Sequence, residues 1–205
     1  YEWSNGATSE DLSDLGAGTY SVVATDENGC SVSIVVEITE SDSMAISETH
    51  SDYTGFGVSC NGATDGFIDV TVSGGTGVYT YEWSNGATSE DLSDLGAGTY
   101  SVVATDENGC SVSIEVEITE SDEMMLVVDQ VLAGPHVLGD IEDGFGSISI
   151  TVEGGTGQYT YEWTASLADG TTTWENGDDI DGLFAGTYSV VAIDENGCSI
   201  SSDIT

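Results

Sequence analysis

The sequence predicts an all-β chain of tandem antiparallel β-sandwich domains that repeat every 80 residues. Three observations lead to this prediction: a near-identical internal repeat, short runs in which apolar and polar residues alternate, and glycine-rich turns between those runs. Residues 1–44 and 81–124 differ at two positions only, where Val35 and Ser43 are replaced by Glu115 and Glu123. A repeat of this length suits one small β domain better than one unit of a solenoid.

The repeat divides the chain into three parts, with boundaries near residues 41 and 121. We expect residues 1–41 to be the C-terminal half of one domain and residues 42–121 to be a complete domain. Residues 122–205 are expected to form a third domain that is truncated at its end and carries an eight-residue insertion between Trp163 and Tyr188. Because the first copy starts partway through a unit, the chain is expected to be an interior piece of a longer protein.

The strands of the complete repeat are predicted from four runs with a period of two. Apolar residues alternate with polar ones in residues 68–73, 79–83, 100–105 and 112–118, which gives each strand one apolar face. Gly-Gly-Thr-Gly, Ser-Asn-Gly and Asp-Glu-Asn-Gly turn sequences separate these runs. Half-buried strands with short turns predict two antiparallel sheets packed face to face.

Two aromatic positions favour an immunoglobulin-like form of the sandwich. Trp83 and Trp163 lie on the expected third strand, where such domains bury a tryptophan. Tyr100 and Tyr188 follow Ala-Gly-Thr at the start of the expected sixth strand, the place of a tyrosine corner. We therefore expect these four residues in the cores. The cysteine pair of antibody domains is missing, and valines stand in those places.

Charge excludes several classes of function. The chain has 38 acidic residues, no lysine and no arginine, for a formal net charge of −38. Nucleic acid and anionic membrane surfaces would be repelled, so neither is an expected partner. Cationic surfaces and divalent cations are compatible partners. With so many carboxylates, paired acids carry no catalytic signal, and no nucleophile motif is present, so we expect no enzyme and no catalytic residues.

The four cysteines suggest disulfides in an extracellular setting. Cys60 could pair with Cys110 inside one domain or with Cys198 across the joint to the next domain. In an immunoglobulin-like sandwich the loop before the second strand and the turn before the last strand lie at opposite ends, roughly 25 Å apart, well beyond disulfide reach. Topology therefore favours Cys60 with Cys198. The partner of Cys30 is then expected outside this sequence.

Calcium is the one cofactor that the sequence raises. Five carboxylates of the insertion could converge on one ion, although they match no EF-hand loop and also suit a solvated acidic loop. Asp106 opens an Asp-Glu-Asn-Gly segment that could bind calcium but is typical of a hairpin turn. The insertion also holds Trp174, a candidate exposed aromatic for polysaccharide binding. The five carboxylates are Asp169, Glu175, Asp178, Asp179 and Asp181.

The segment from Val70 to Cys110 resembles the SprB repeat of giant surface adhesins of gliding Bacteroidota. Gly-Gly-Thr-Gly, Tyr-Thr-Tyr-Glu-Trp-Ser-Asn-Gly, Ala-Gly-Thr-Tyr and Asp-x-Asn-Gly-Cys carry the resemblance, in that order. It implies a cell-surface filament, attached at the outer membrane, exported by type IX secretion and moved by a motor. Expected partners are neighbouring repeats, an external surface or polysaccharide, and motility or secretion machinery reached through other regions. The alternatives are a multivalent carbohydrate-binding module and a calcium-rigidified spacer.

Overall fold

The computed structural model describes residues 1–132, 146–167, 170–175, 177–184 and 186–205. Within these ranges the chain forms sixteen β-strands and no helix, so nothing described there could cross a membrane as a helix. The strands are β1 Glu2–Trp3, β2 Gly18–Thr25, β3 Ser31–Ile38, β4 Ala45–His50, β5 Gly66–Ser73, β6 Thr80–Trp83, β7 Leu92–Leu95, β8 Gly98–Thr105, β9 Ser111–Ile118, β10 Met125–Leu132, β11 Gly146–Glu153, β12 Thr160–Leu167, β13 Gly170–Glu175, β14 Asp179–Leu183, β15 Thr187–Ile193 and β16 Ser199–Ile204.

Residues 42–121 form two three-stranded antiparallel sheets. One has the order β4-β5-β7 and the other β6-β8-β9. These correspond to the A-B-E and C-F-G sheets of an immunoglobulin-like sandwich without strand D. The all-β, immunoglobulin-like fold class is thereby confirmed. The loop between β4 and β5 is called the A–B loop below, and the turn between the last two strands of each domain is called the F–G turn.

The core of residues 42–121 lies between these two sheets. Trp83, on the third strand, is 2% exposed, and its indole Nε1 donates to the Ser89 carbonyl oxygen at 2.9 Å. Tyr100 is partly buried against the core, and its hydroxyl donates to the Gly96 carbonyl oxygen at 3.1 Å. The buried apolar residues are Val58, Ile68, Val70, Trp83, Leu92, Leu95, Val102, Val116 and Ile118.

The third domain has the same two sheets with one strand added. Its sheets have the orders β10-β11-β14 and β13-β12-β15-β16. The insertion supplies β13, which pairs antiparallel with β12 so that Trp163 lies opposite Trp174. This added edge strand takes the place of strand C′ in variable-type immunoglobulin domains. Trp163 is fully buried and Tyr188 is 4% exposed, so both belong to the core.

Residues 1–41 contribute one C-F-G sheet, with the order β1-β2-β3. Its apolar face has no second sheet against it within these residues, and Ile34 is 59% exposed. The equivalent residue of the complete domain, Ile114, is partly buried against the core. The two strands differ only at Val35 and Glu115, so the difference in exposure comes from the A-B-E sheet, which packs against Ile114 and has no counterpart in residues 1–41.

Two strands of the complete domain were not among the four predicted runs. β4 has a weak apolar signal, because its inner face carries Glu48 beside Ile46. β7 buries Leu92 and Leu95, which are three positions apart, so the period of two is broken. Asp94 takes up the extra residue with a φ of 57°, and Gly182 stands at that position in the third domain. The tyrosine corner consequently starts the fifth strand, not the sixth, because no strand D forms in residues 42–121.

Candidate functional site: the joint between two repeats

Cys60 of the complete domain is disulfide-bonded to Cys198 of the third domain, with a Cα–Cα distance of 5.7 Å. Cys60 lies in the A–B loop at the C-terminal end of its domain, and Cys198 lies in the F–G turn at the N-terminal end of the next. This is the pairing across the joint that strand topology favoured. The alternative pairing of Cys60 with Cys110 is wrong, because those residues lie at opposite ends of one sandwich.

The A–B loop is held by its own domain before it reaches the neighbour. Val58 is fully buried and packs in the core, which stabilises the loop by about 1.5–3 kcal/mol. The buried Ser51 hydroxyl donates to the Gly57 carbonyl oxygen at 2.5 Å. The Ser59 amide donates to Asp65 Oδ1 at 3.0 Å, and hydrogen bonds from the side chain and backbone of Ser59 lower the pKa of Asp65. Cys60 is therefore presented from an ordered loop.

The tip of the A–B loop is a strained two-residue turn that contacts the third domain. Thr54 and Gly55 both have positive φ, 50° and 93°, as a type I′ turn requires. A β-branched residue is rarely found in this conformation. The Thr54 hydroxyl donates to Asn196 Oδ1 at 3.0 Å. Backbone strain concentrates at functional positions, and here it places a hydroxyl against the next repeat.

Asn196 is the main polar contact from the other side of the joint. Its Nδ2 donates to the carbonyl oxygens of Tyr53 at 3.2 Å and Ser59 at 3.1 Å. Together with Thr54, the asparagine side chain uses both its donor and its acceptor atoms on the A–B loop. Cys198 Sγ lies 3.2 Å from the Ser59 carbonyl oxygen; a disulfide sulfur carries no proton, so this is a packing contact.

A buried aspartate shapes the F–G turn that carries Asn196 and Cys198. Asp194 is 5% exposed, and its carboxylate accepts four hydrogen bonds. Oδ1 accepts the amides of Asn196 at 3.0 Å and Cys198 at 2.8 Å. Oδ2 accepts the amide of Thr156 at 2.9 Å and its hydroxyl at 3.0 Å. In a chain without lysine or arginine, N–H and O–H donors thus stabilise the charge of this carboxylate in place of a cationic side chain.

The same arrangement occurs in the complete domain and explains the paired motifs of the repeat. Asp106 Oδ2 accepts the amide and hydroxyl of Thr76, so Asp-x-Asn-Gly-Cys is joined to Gly-Gly-Thr-Gly. Burial raises the pKa of Asp106, but hydrogen bonds from Cys110, Thr76 and Asn108 outweigh it, so the net pKa is lowered. Because donors occupy this carboxylate, the segment is a hairpin turn, as the alternative interpretation had it.

The A–B loop also covers the linker between the two domains. Asn61 Nδ2 donates to the Ser121 carbonyl oxygen at 2.8 Å, and the Gly62 amide donates to Glu120 Oε2 at 2.7 Å. Ser121 is left only 3% exposed. The loop therefore contacts its own domain, the linker and the next domain. Sequence reasoning found the two cysteines but missed Thr54, Asn61 and Asn196; the Cys-Asn-Gly and Asn-Gly-Cys sequences flanking the disulfide were the available signal.

The calcium prediction for the insertion stays a prediction. Asp169 lies outside the described residues. Asp178 precedes β14, and Asp179 and Asp181 lie on that strand with exposed side chains. In the parts of the chain that the structure describes, no three acidic, cysteine or histidine residues are close enough to hold a metal ion. Glu175 ends β13, beside Glu162 of β12 in the strand register.

Two cysteines stay unpaired. Cys30 and Cys110 are free and exposed, and they occupy the F–G turns of their domains at the position of Cys198. The predicted pairing of Cys30 with a residue outside this sequence stays a prediction.

Fold and joint together define this chain as a series of β-sandwich domains connected end to end by short linkers, with a covalent bond across one joint. The family model described as SprB repeat matches residues 58–88, in the second domain, and residues 145–167, in the third. The resemblance drawn from the sequence is confirmed.

One similar solved structure is described as "Crystal structure of tetra-tandem repeat in extending region of large adhesion protein". The sequence identity is 18% and the TM-score 0.32, with 94% of this chain and 57% of that chain covered. This chain therefore spans little more than half of that one. No curated protein matches this chain.

Proposed function

We propose that this chain is a stalk segment of a giant cell-surface adhesin filament, serving surface adhesion and gliding motility. The observation that carries the proposal is the joint: consecutive SprB-repeat domains meet end to end, and a disulfide and three side-chain hydrogen bonds fix them. A catalyst has no need of near-identical copies in series, whereas a spacer gains reach with each one. The segment thus catalyses no reaction and acts at the cell surface, after export through the type IX route.

The charge of the shell supports an extended stalk. Among the described residues the one side-chain ion pair joins His50 Nδ1 to Glu48 Oε2 at 2.9 Å, and it is charged only when the histidine is protonated. With 38 acidic residues and no lysine or arginine, neighbouring domains repel each other. Self-repulsion of this kind disfavours collapse of the filament and contact between filaments.

Small-angle scattering at two salt concentrations tests the stalk. At about 10 mM salt the screening length is roughly 30 Å, and at about 1 M it is roughly 3 Å. We expect an elongated particle at low salt that becomes more flexible at high salt, with the change at the joint near Ser41, which has no disulfide. A compact particle at low salt, or curves that do not change with salt, would contradict the proposal.

Cell-surface placement has a separate test. An antibody raised against residues 42–121 is expected to label intact, unpermeabilised cells of the source organism, and labelling should disappear when the type IX machinery is deleted. Labelling that requires permeabilisation would contradict the surface assignment. A melting curve with and without a chelator tests the calcium-rigidified alternative, which predicts a lower melting temperature in the chelator.

A further inference from the structure

An open cavity lies at the N-terminal end of the complete domain, beside the free Cys110. Its volume is about 590 Å³. Its walls are the linker that follows the first domain, the F–G turn of the second domain and the Gly-Gly-Thr-Gly turn of the second domain. The lining residues are Glu40, Ser41, Asp42, Ser43, Met44, Gly75, Cys110 and Ser111.

The corresponding place at the next joint is filled. There the A–B loop covers the linker, and Asn61 and Gly62 bind Ser121 and Glu120. Ser121 is 3% exposed, whereas the equivalent Ser41 is exposed. Since the linker reads Thr-Glu-Ser-Asp in both places, the same acceptors are present at the cavity and lack the loop that would bind them.

Besides the cysteine, the F–G turns of the two joints differ in the direction of one asparagine side chain. At the filled joint, Asn196 Nδ2 reaches the carbonyl oxygens of the preceding domain's A–B loop. At the cavity, the equivalent Asn108 turns back and donates to Thr76 Oγ1 of its own domain at 2.7 Å. The backbone of the turn is the same, because Asp106 and Asp194 hold it through equivalent hydrogen bonds. Asn108 therefore has a local partner until a loop arrives.

We propose that this cavity is the docking site for the A–B loop of a further repeat ahead of residue 42, a second copy of the segment Ser51–Asp65. The inference rests on the proposed serial stalk. Its occupant places a cysteine on Cys110, an asparagine amide on the Ser41 carbonyl oxygen and a backbone amide on Glu40, as Cys60, Asn61 and Gly62 do at the filled joint. Asn108 then swings from Thr76 to the loop carbonyls.

Closing the new disulfide joins two thiol sulfurs and releases two protons and two electrons. The electrons pass to a disulfide oxidant of the extracellular space by thiol–disulfide exchange, and that oxidant leaves as its dithiol. The bond then adds to contacts that have already placed the two sulfurs together. The repeat of residues 42–121 thus offers a cysteine at each end, Cys110 and Cys60, and can be bonded to both of its neighbours.

The test places a second copy of residues 42–121 directly ahead of residue 42, in place of residues 1–41. After oxidation with a glutathione redox buffer, non-reducing peptide mapping is expected to find Cys60 of the leading copy joined to Cys110 of the following copy, and Cys60 of the following copy still joined to Cys198. One free thiol should remain, Cys110 of the leading copy. Three free thiols, or a bond between Cys60 and Cys110 of the leading copy, would overturn the proposal.

A substitution tests the docking contacts apart from the bond. Asn108→Ala in the following copy should reduce by at least roughly fivefold the dithiothreitol concentration at which half of the new disulfide is reduced. This is the effect of losing one hydrogen bond, and the equivalent Asn196 makes three at the filled joint. The same change in the leading copy, whose turn meets no loop, is the matched control and should have no effect. Equal effects in both copies would overturn the docking role.

Scattering of the same protein separates the two ideas. An elongated particle without the new bond would contradict the docking proposal and support the stalk. A compact particle with the new bond would support the docking proposal and contradict the stalk.

Discussion

Replacing both Cys60 and Cys198 by serine should lower the melting temperature of the two domains that they join. The cysteines are 138 positions apart in the sequence. If residues 42–121 unfold while the third domain stays folded, the bond closes a loop of about 60 residues, from Cys60 to the joint near Ser121, which the chain-entropy relation values at about 4 kcal/mol. Unfolding of the third domain closes a loop of similar length.

Measured disulfides contribute about 2–4 kcal/mol, so each domain should lose that much stability. For domains of this size the melting temperature should fall by at least about 8 °C. Differential scanning calorimetry without reductant measures the change, and the parent protein in reductant should melt like the double variant. Cys110→Ser, which removes a free thiol, is the control and should melt like the parent. A double variant within about 2 °C of the parent would refute the reasoning.

Three further predictions concern single side chains of the complete domain. Asp106→Ala should lower the melting temperature of the complete domain by roughly 5–10 °C, because several hydrogen-bond donors lose their acceptor. The stability that Asp106 confers is present above the unfolded pKa of about 4 and is lost as pH falls through the lower folded pKa. Calorimetry at pH 7 and pH 3 would show this loss. Burial, followed by the hydrogen bond to Glu90, raises the pKa of Tyr81 to about 12. Stability from Tyr81 should therefore be lost as pH rises from about 10 to 12, and Tyr81→Phe should remove a phenol that ionises near pH 12 from an ultraviolet titration. Trp83→Ala should cost about 3–5 kcal/mol, measured by urea unfolding.

Each of these has a matched comparison. Glu107→Ala changes a neighbouring carboxylate that does not accept the Thr76 hydrogen bonds, and it should leave the pH dependence of stability in place. If Asp106→Ala and the parent lose stability equally on acidification, Asp106 is not the responsible group. A Tyr81 phenol that ionises near pH 10 would contradict its burial. A Trp83→Ala protein with unchanged urea midpoint would place Trp83 outside the core.

The 80-residue repeat, four of the strands and the turns between them could be predicted from the sequence, because each depends on a local pattern of residues. Trp83 and Tyr100 marked their strands, and the topology they implied favoured one of two cysteine pairings. Strand β7 could not be found that way, because Asp94 adds a residue and the buried leucines lose their period of two. The role of Asn196 could not be predicted either. The equivalent asparagine of the complete domain, Asn108, donates a hydrogen bond within its own domain, so the sequence alone does not show which F–G turn contacts a neighbouring domain.

The bond across the joint also decides how these two domains respond to a pull. Tension that enters along the backbone reaches Cys60 and passes directly to Cys198, so the chain between them is bypassed and cannot be drawn out. Once that bond is broken, unfolding of the two domains frees 138 residue steps for stretching, a contour of roughly 450 Å when fully extended. The oxidation state of two sulfur atoms thus sets whether this section behaves as an inextensible spacer or as a long, yielding tether.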